Sequence, residues 1–235
     1  MAQNQAASNR RSVVRSFNRA VRDAYRSAQA FEQNFTDYDN ASSDQRHAEM
    51  LEAYTSFLEK YRNFSSQVSM LNETELQDPN IRQDIQEMQV QQDNVDFIRY
   101  TWYTKRQEYL QHHFNDTVQK AIDATVEFQA NFSDFEHANS DERYQQLRQA
   151  GEVLIDKFKD CLVIYQELST SSRQDPNVIS YEREWNKYRN IVVTILQTWT
   201  ARRTELQQQA ATRPSGNSSA STRRRRRKNR KSRRN

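Results

Sequence analysis

Apolar residues recur three and four positions apart along most of this chain. From Val14 the series runs Val14, Phe17, Val21, Ala24, Ala28, Phe31, Phe35 and Tyr38, which is the seam of an amphipathic helix. A polar break at Asp39–Ser43 follows, where Ser42 with Gln45 suits a capping box. The pattern resumes as Met50, Tyr54, Phe57, Tyr61, Phe64, Val68 and Leu71. A polar linker, Asn72–Gln77, leads to Asp78-Pro79-Asn80. Asp78 suits an N-cap and Pro79 the first helical position, where no N–H is needed. A third seam carries Met88, Val95, Ile98, Trp102 and Tyr109.

The whole pattern then repeats with one ungapped shift of 97 residues. Phe31, Asn34, Phe35, Asp37, Ala41, Ser43, Asp44 and Arg46 recur as Phe128, Asn131, Phe132, Asp134, Ala138, Ser140, Asp141 and Arg143. The shift carries Asp78-Pro79-Asn80 onto Asp175-Pro176-Asn177, Thr101-Trp102 onto Thr198-Trp199, and Arg106 onto Arg203. The second copy reads Phe114, Val118, Ala121, Thr125, Phe128, Phe132 and Phe135, with only Thr125 weakening the stripe. Leu147, Gly151, Leu154, Phe158, Cys161, Tyr165 and Leu168 follow, then Trp185, Val192, Ile195, Trp199 and Leu206. Asn139 with Glu142 and the polar stretch Ser169–Gln174 complete the match. Gly151, which stands where the first copy has Tyr54, is expected to weaken its helix and to let another approach closely. Self-similarity of this kind marks tandem duplication.

The expected fold is therefore all-α: two tandem three-helix bundles. The divisions are a flexible N-terminus at 1–13, one unit at 14–110, a second at 111–207, and a disordered tail at 208–235. No Pro or Gly interrupts residues 81–136, so the third helix of one unit can run into the first helix of the next. The seam slips near Leu110–Phe114, where a bend fits. Three-helix units fused through a shared helix resemble spectrin-type repeats in layout, and the helix-three tryptophans strengthen that likeness.

Composition supports helices: two Gly and three Pro in 235 residues leave little for the turns of a sheet. A single Cys excludes an internal disulfide framework and fits a reducing compartment. The N-terminus lacks an apolar leader, and no long apolar run occurs, so neither secretion nor a membrane span is expected.

Charge changes the picture more. The formal net charge is +4, but residues 223–235 hold ten Arg or Lys and no acid. That leaves 25 basic against 31 acidic residues in 1–222, a net −6. Residues 1–26 hold six Arg against Asp23, a net +5, so the stretch 27–222 carries −11. An acidic body with basic ends directs polyanions to the ends. Ala210–Thr222, with Pro214, Gly216 and several Ser, reads as a flexible linker. The run after it has nothing to bury and repels itself.

The chemistry sits in that run. Arg223, Arg224, Arg225, Arg226, Arg227, Lys228, Arg230, Lys231, Arg233 and Arg234 neutralise phosphates and release counterions without reading sequence. Arginine adds bidentate phosphate contacts and base stacking. A second basic strip, Arg11, Arg15, Arg19, Arg22 and Arg26, recurs near helical spacing. It is either a phosphate-binding surface or a polar face whose stems cover the core. The second copy has His112, Asp116, Gln119 and Asp123 at positions matching 15, 19, 22 and 26, so any such strip belongs to the first unit alone.

Helical body, Ser/Pro/Gly linker and terminal arginine run together resemble viral capsid and nucleocapsid proteins. That resemblance implies a self-associating body and a tail that packages the genome, RNA in preference to DNA, with a virion or nuclear and nucleolar location. The alternative is a helical-repeat scaffold or adaptor whose tail is a nuclear address read by an import receptor.

Other candidates point to structure. Adjacent His112 and His113 face different sides of a helix and cannot chelate together, and His47 and His137 stand alone, so no metal is expected. Cys161 falls on a core stripe as a buried thiol. Trp102 and Trp199, with the Phe pairs, fit core packing better than a base-stacking platform. No phosphate loop, nucleophile elbow or HExxH occurs, so neither enzymatic activity nor a cofactor is expected.

Overall fold

The structure, a computed structural model, describes residues 2–212, with side chains from Arg10 onward. It is all-helical, with no strand among the described residues. The elements are α1 (Ala2–Phe35), a 3₁₀ turn (Tyr38–Ser42), α2 (Asp44–Val68), α3 (Glu73–Leu76), α4 (Pro79–Phe132), α5 (Asp141–Glu167), α6 (Thr170–Arg173) and α7 (Pro176–Thr212).

Several boundaries differ from the sequence expectation. Helix α1 begins at Ala2, inside the stretch expected to be flexible, and α7 continues to Thr212, so residues 208–212 belong to a helix rather than to the tail. Residues 213–235 lie outside the described residues. The polar linkers each contain one helical turn. Asn72 accepts from Glu75 N–H at 2.9 Å while the Glu75 carboxylate accepts from Asn72 N–H at 2.9 Å, a reciprocal cap. Ser169 caps α6 in the same position.

The caps of α2 and α5 fall one residue later than expected. Ala41 plugs into the core at 2% exposure, which places Ser42 inside the 3₁₀ turn. The cap passes to Ser43, whose Oγ accepts from Arg46 N–H at 3.3 Å, and likewise to Ser140, which accepts from Arg143 N–H at 3.3 Å. The Asp-Pro-Asn starts of α4 and α7 are as expected: Asp78 and Asp175 each accept from the N–H two residues on, at 2.8 Å.

By packing, the chain divides into two compact units. The first runs up to Phe114 and includes Glu167–Gln174; the second takes Asn115–Gln166 and the chain from Asp175 onward. The division falls within α4, an unbroken helix of 54 residues, one turn past the sequence boundary at 110/111.

In the first unit, Phe31 and Phe35 of α1, Met50 and Phe57 of α2, and Val95, Ile98 and Trp102 of α4 share one cluster. Phe17, Ala20 and Ala24 meet Phe64, Leu71, Ile81 and Met88 in another. In the second unit, Phe128, Leu154, Phe158, Val192 and Trp199 are among the buried residues. Thr125 is fully buried there, and its hydroxyl donates back to Ala121 C=O at 2.7 Å, which satisfies it. Tyr109, expected on the seam, is exposed, and the buried positions beside it are Arg106, Gln107 and Leu110.

Candidate nucleic-acid interface

At about 100° per residue, Arg11, Arg15, Arg19, Arg22 and Arg26 fall within an arc of about 80° on α1. All five are exposed. Phe17, Ala20, Ala24, Ala28, Phe31 and Phe35 mark the buried face, and its centre lies diametrically opposite. The five arginines therefore lie on the face opposite the buried one, with Arg22 at its edge beside Val14, Val21 and Ile81. None of the five forms an ion pair among the described residues. Asp23, exposed and just beyond the arc, is the one acid in residues 1–26. Arg22 alone engages the backbone, its Nε donating to Asn18 C=O at 3.2 Å, and it lines a groove with Asp78 and Asp84.

The matching face of α4 has the opposite character. Glu108, His112, Asp116, Gln119 and Asp123 are all exposed there. Asp116 pairs with Lys120 at 2.6 Å, and Gln119 donates to Asp123 at 2.9 Å. The ten tail cations, Arg223 to Arg234, lie outside the described residues.

The repeated motif serves structure. Arg46 donates to Asn34 C=O at 2.7 Å and lies over the Phe35 ring at 5.0 Å. Arg143 donates to Asn131 C=O at 2.9 Å and lies over Phe132 at 5.1 Å. Each arginine caps the orphan carbonyls at the end of one helix from the first turn of the next. Phe35 meets Trp102 edge-on at 5.6 Å, and Phe132 meets Trp199 at 6.1 Å. Both tryptophans are fully buried, which removes them as stacking platforms.

A second arginine locks each corner from the third helix. Arg106 is 5% exposed; it donates to Ser42 C=O at 2.8 Å, to Glu167 at 3.1 Å, and to Asp44. Its neighbour Gln107 accepts from Ser169 N–H at 2.7 Å and from the Ser172 hydroxyl at 3.1 Å. Arg203 donates to Asp141 in the second unit. The sequence signal for these clamps was the recurrence of Arg106 as Arg203, but the partners were not readable from it.

The remaining candidates carry no visible chemistry. Cys161 is fully buried, and burial, with Asp160 nearby, pushes its thiol up to about 11. His137 Nδ1 lies 3.2 Å from Asp134. Among the described residues no three His, Cys, Asp or Glu side chains gather into a metal site, and no helix is long and apolar enough to cross a membrane. Open grooves include one of about 510 Å³ between α4 and α5, lined by Phe128, Val153 and Leu154 with Glu127 and Lys157, and a polar one of about 570 Å³ beside Arg22, Asp78 and Asp84. Sequence reading missed the exposed Val90, Phe97 and Tyr100 of α4. Comparisons of the chain with known protein families, curated proteins and solved structures find no match.

Proposed function

We propose that this chain is a non-enzymatic, sequence-independent nucleic-acid-binding protein of the packaging type, with Arg223 to Arg234 as its phosphate-binding device. The observation that carries the reading is charge segregation: ten cations and no acid in the last thirteen residues, attached to a remainder of net −6. Such a run gains affinity from counterion release, while the acidic body resists lying on the polyanion.

The body is read as two tandem three-helix bundles that arose by duplication, followed by a tail that is disordered until it binds. Paired corners, Arg46 with Arg106 and Arg143 with Arg203, support the duplication. The body self-associates in this reading, and RNA is the packaged polymer, in a virion or in the nucleus.

The test is binding of poly(U) across a salt series, with the full chain beside a full-length variant whose ten tail cations are Gln. Ten engaged charges on a single strand give a log–log slope approaching about −7. The expected result is a steep slope that collapses in the variant, with large RNA-containing particles formed only by the parent. A variant that binds as the parent does would refute the tail as the device. A parent that binds no RNA and stays small would favour the nuclear-address reading.

A further inference from the structure

We infer that the α1 ridge formed by Arg11, Arg15, Arg19, Arg22 and Arg26 is a second, tail-independent site for a phosphodiester backbone, present in the first unit only. The inference rests on the reading of this chain as a nucleic-acid binder, not on the tail being the device.

Three observations carry it. The first is phase: the five side chains share an arc of about 80°, opposite the buried Phe17, Ala20, Ala24 and Phe31, so packing does not require them. The second is the absence of acidic partners. Arg106 and Arg203 are held by carboxylates and Arg46 and Arg143 by carbonyls, whereas none of the five ridge arginines pairs with an acid among the described residues. Like charges three and four apart on a helix repel one another, so the free protein carries an arrangement that an anionic ligand relieves. The third is the internal comparison. The matched positions on α4 hold Glu108, His112, Asp116, Gln119 and Asp123 on the corresponding face. A helix at this place in the repeat therefore does not need cations in order to pack.

The ligand follows from the donors. All five are Arg and none is Lys, and the planar guanidinium fork binds phosphate oxygens in pairs. Successive arginines are about 4.5 or 6 Å apart along the axis, of the order of the step between neighbouring phosphates on an extended strand. No aromatic side chain lies within the arc to read or stack bases, so the site follows the backbone without sequence preference.

The test uses the full chain with all five arginines changed to Gln, poly(U) as probe, and circular dichroism to verify helix content. Loss of five contacts on a single strand should make the salt slope shallower by about 3.5. The variant with a neutralised tail should keep residual, salt-sensitive poly(U) binding that disappears when the ridge is also changed. A control places Arg at exposed Gln83, Gln86, Gln145, Gln149 and Gln197 in the ridge variant, restoring net charge without the ridge. An unchanged slope in the ridge variant overturns the inference, as does full recovery in the control. Loss of self-association with an unchanged slope also overturns it, because the ridge would then be docking protein carboxylates. If the tail variant binds like the parent while the ridge variant is weakened, the tail reading fails and the ridge stands.

Discussion

In the first unit the imidazole of His47 sits beside Arg106; in the second, Tyr144 takes the matched place and Arg203 lies over its ring at 4.5 Å. Burial and then Arg106 hold His47 below its ordinary value of 6.5, against the opposing pull of Asp44 and Glu167. Tyr144 instead offers its guanidinium partner an attractive ring face. A second contrast lies about two helical turns further on. Tyr54 donates to Asp96 at 2.7 Å and stacks under Arg99 at 4.7 Å. The matched residues are Gly151, Val193 and Leu196, and a Cβ on Gly151 would stand 2.8 Å from Leu196 Cδ2. The first unit joins α2 to α4 with a polar triad, and the second joins α5 to α7 with an apolar close approach. The residues that match between the two units fix the chain path, while those that differ set polarity and charge. The α1 ridge and its acidic counterpart on α4 belong to the second class.

The largest expected break is Gly151→Tyr. It overfills a closely packed site, at a cost of about 1–3 kcal/mol. The triple change Gly151→Tyr, Val193→Asp and Leu196→Arg transplants the polar triad and should recover most of that loss, read as the urea midpoint. Equal midpoints for the single and triple variants would show that the two joints do not differ in the way described.

A smaller effect separates the tryptophans. Trp199 Nε1 donates to Phe132 C=O at 2.7 Å, whereas the Trp102 indole N–H finds no acceptor. Trp199→Phe should therefore cost about 1 kcal/mol more than Trp102→Phe, since only the former loses a hydrogen bond. Thermal or urea unfolding of the pair measures this difference, and equal losses would contradict it.

The smallest effect is on pH dependence. A histidine with a lowered folded value binds its proton more readily in the unfolded chain. Its contribution is complete above about 6.5 and is lost as pH falls through the lower folded value. His47→Tyr should flatten the stability profile between pH 7 and 5 while leaving neutral stability nearly unchanged. A variant whose acid-side slope matches the parent's would remove His47 as the cause.

The long helices, the 97-residue self-similarity and the phase of the five α1 arginines follow from the sequence alone, because helical periodicity is a local property that apolar spacing records directly. Spacing says which face is apolar, not what lies against it. That the arginine arc faces away from the core with no ion pair to an acid among the described residues required the packed structure. So did the burial of Arg106 against Ser42 and Glu167, whose partners lie 64 and 61 residues away. The move of the caps to Ser43 and Ser140 had the same kind of origin, since the plugging of Ala41 into the core, and not local propensity, decides where α2 starts. Tertiary structure alone also assigned Glu167–Gln174 to the first unit. Gln107 holds that segment through Ser169 and Ser172, by hydrogen bonds that no local pattern encodes.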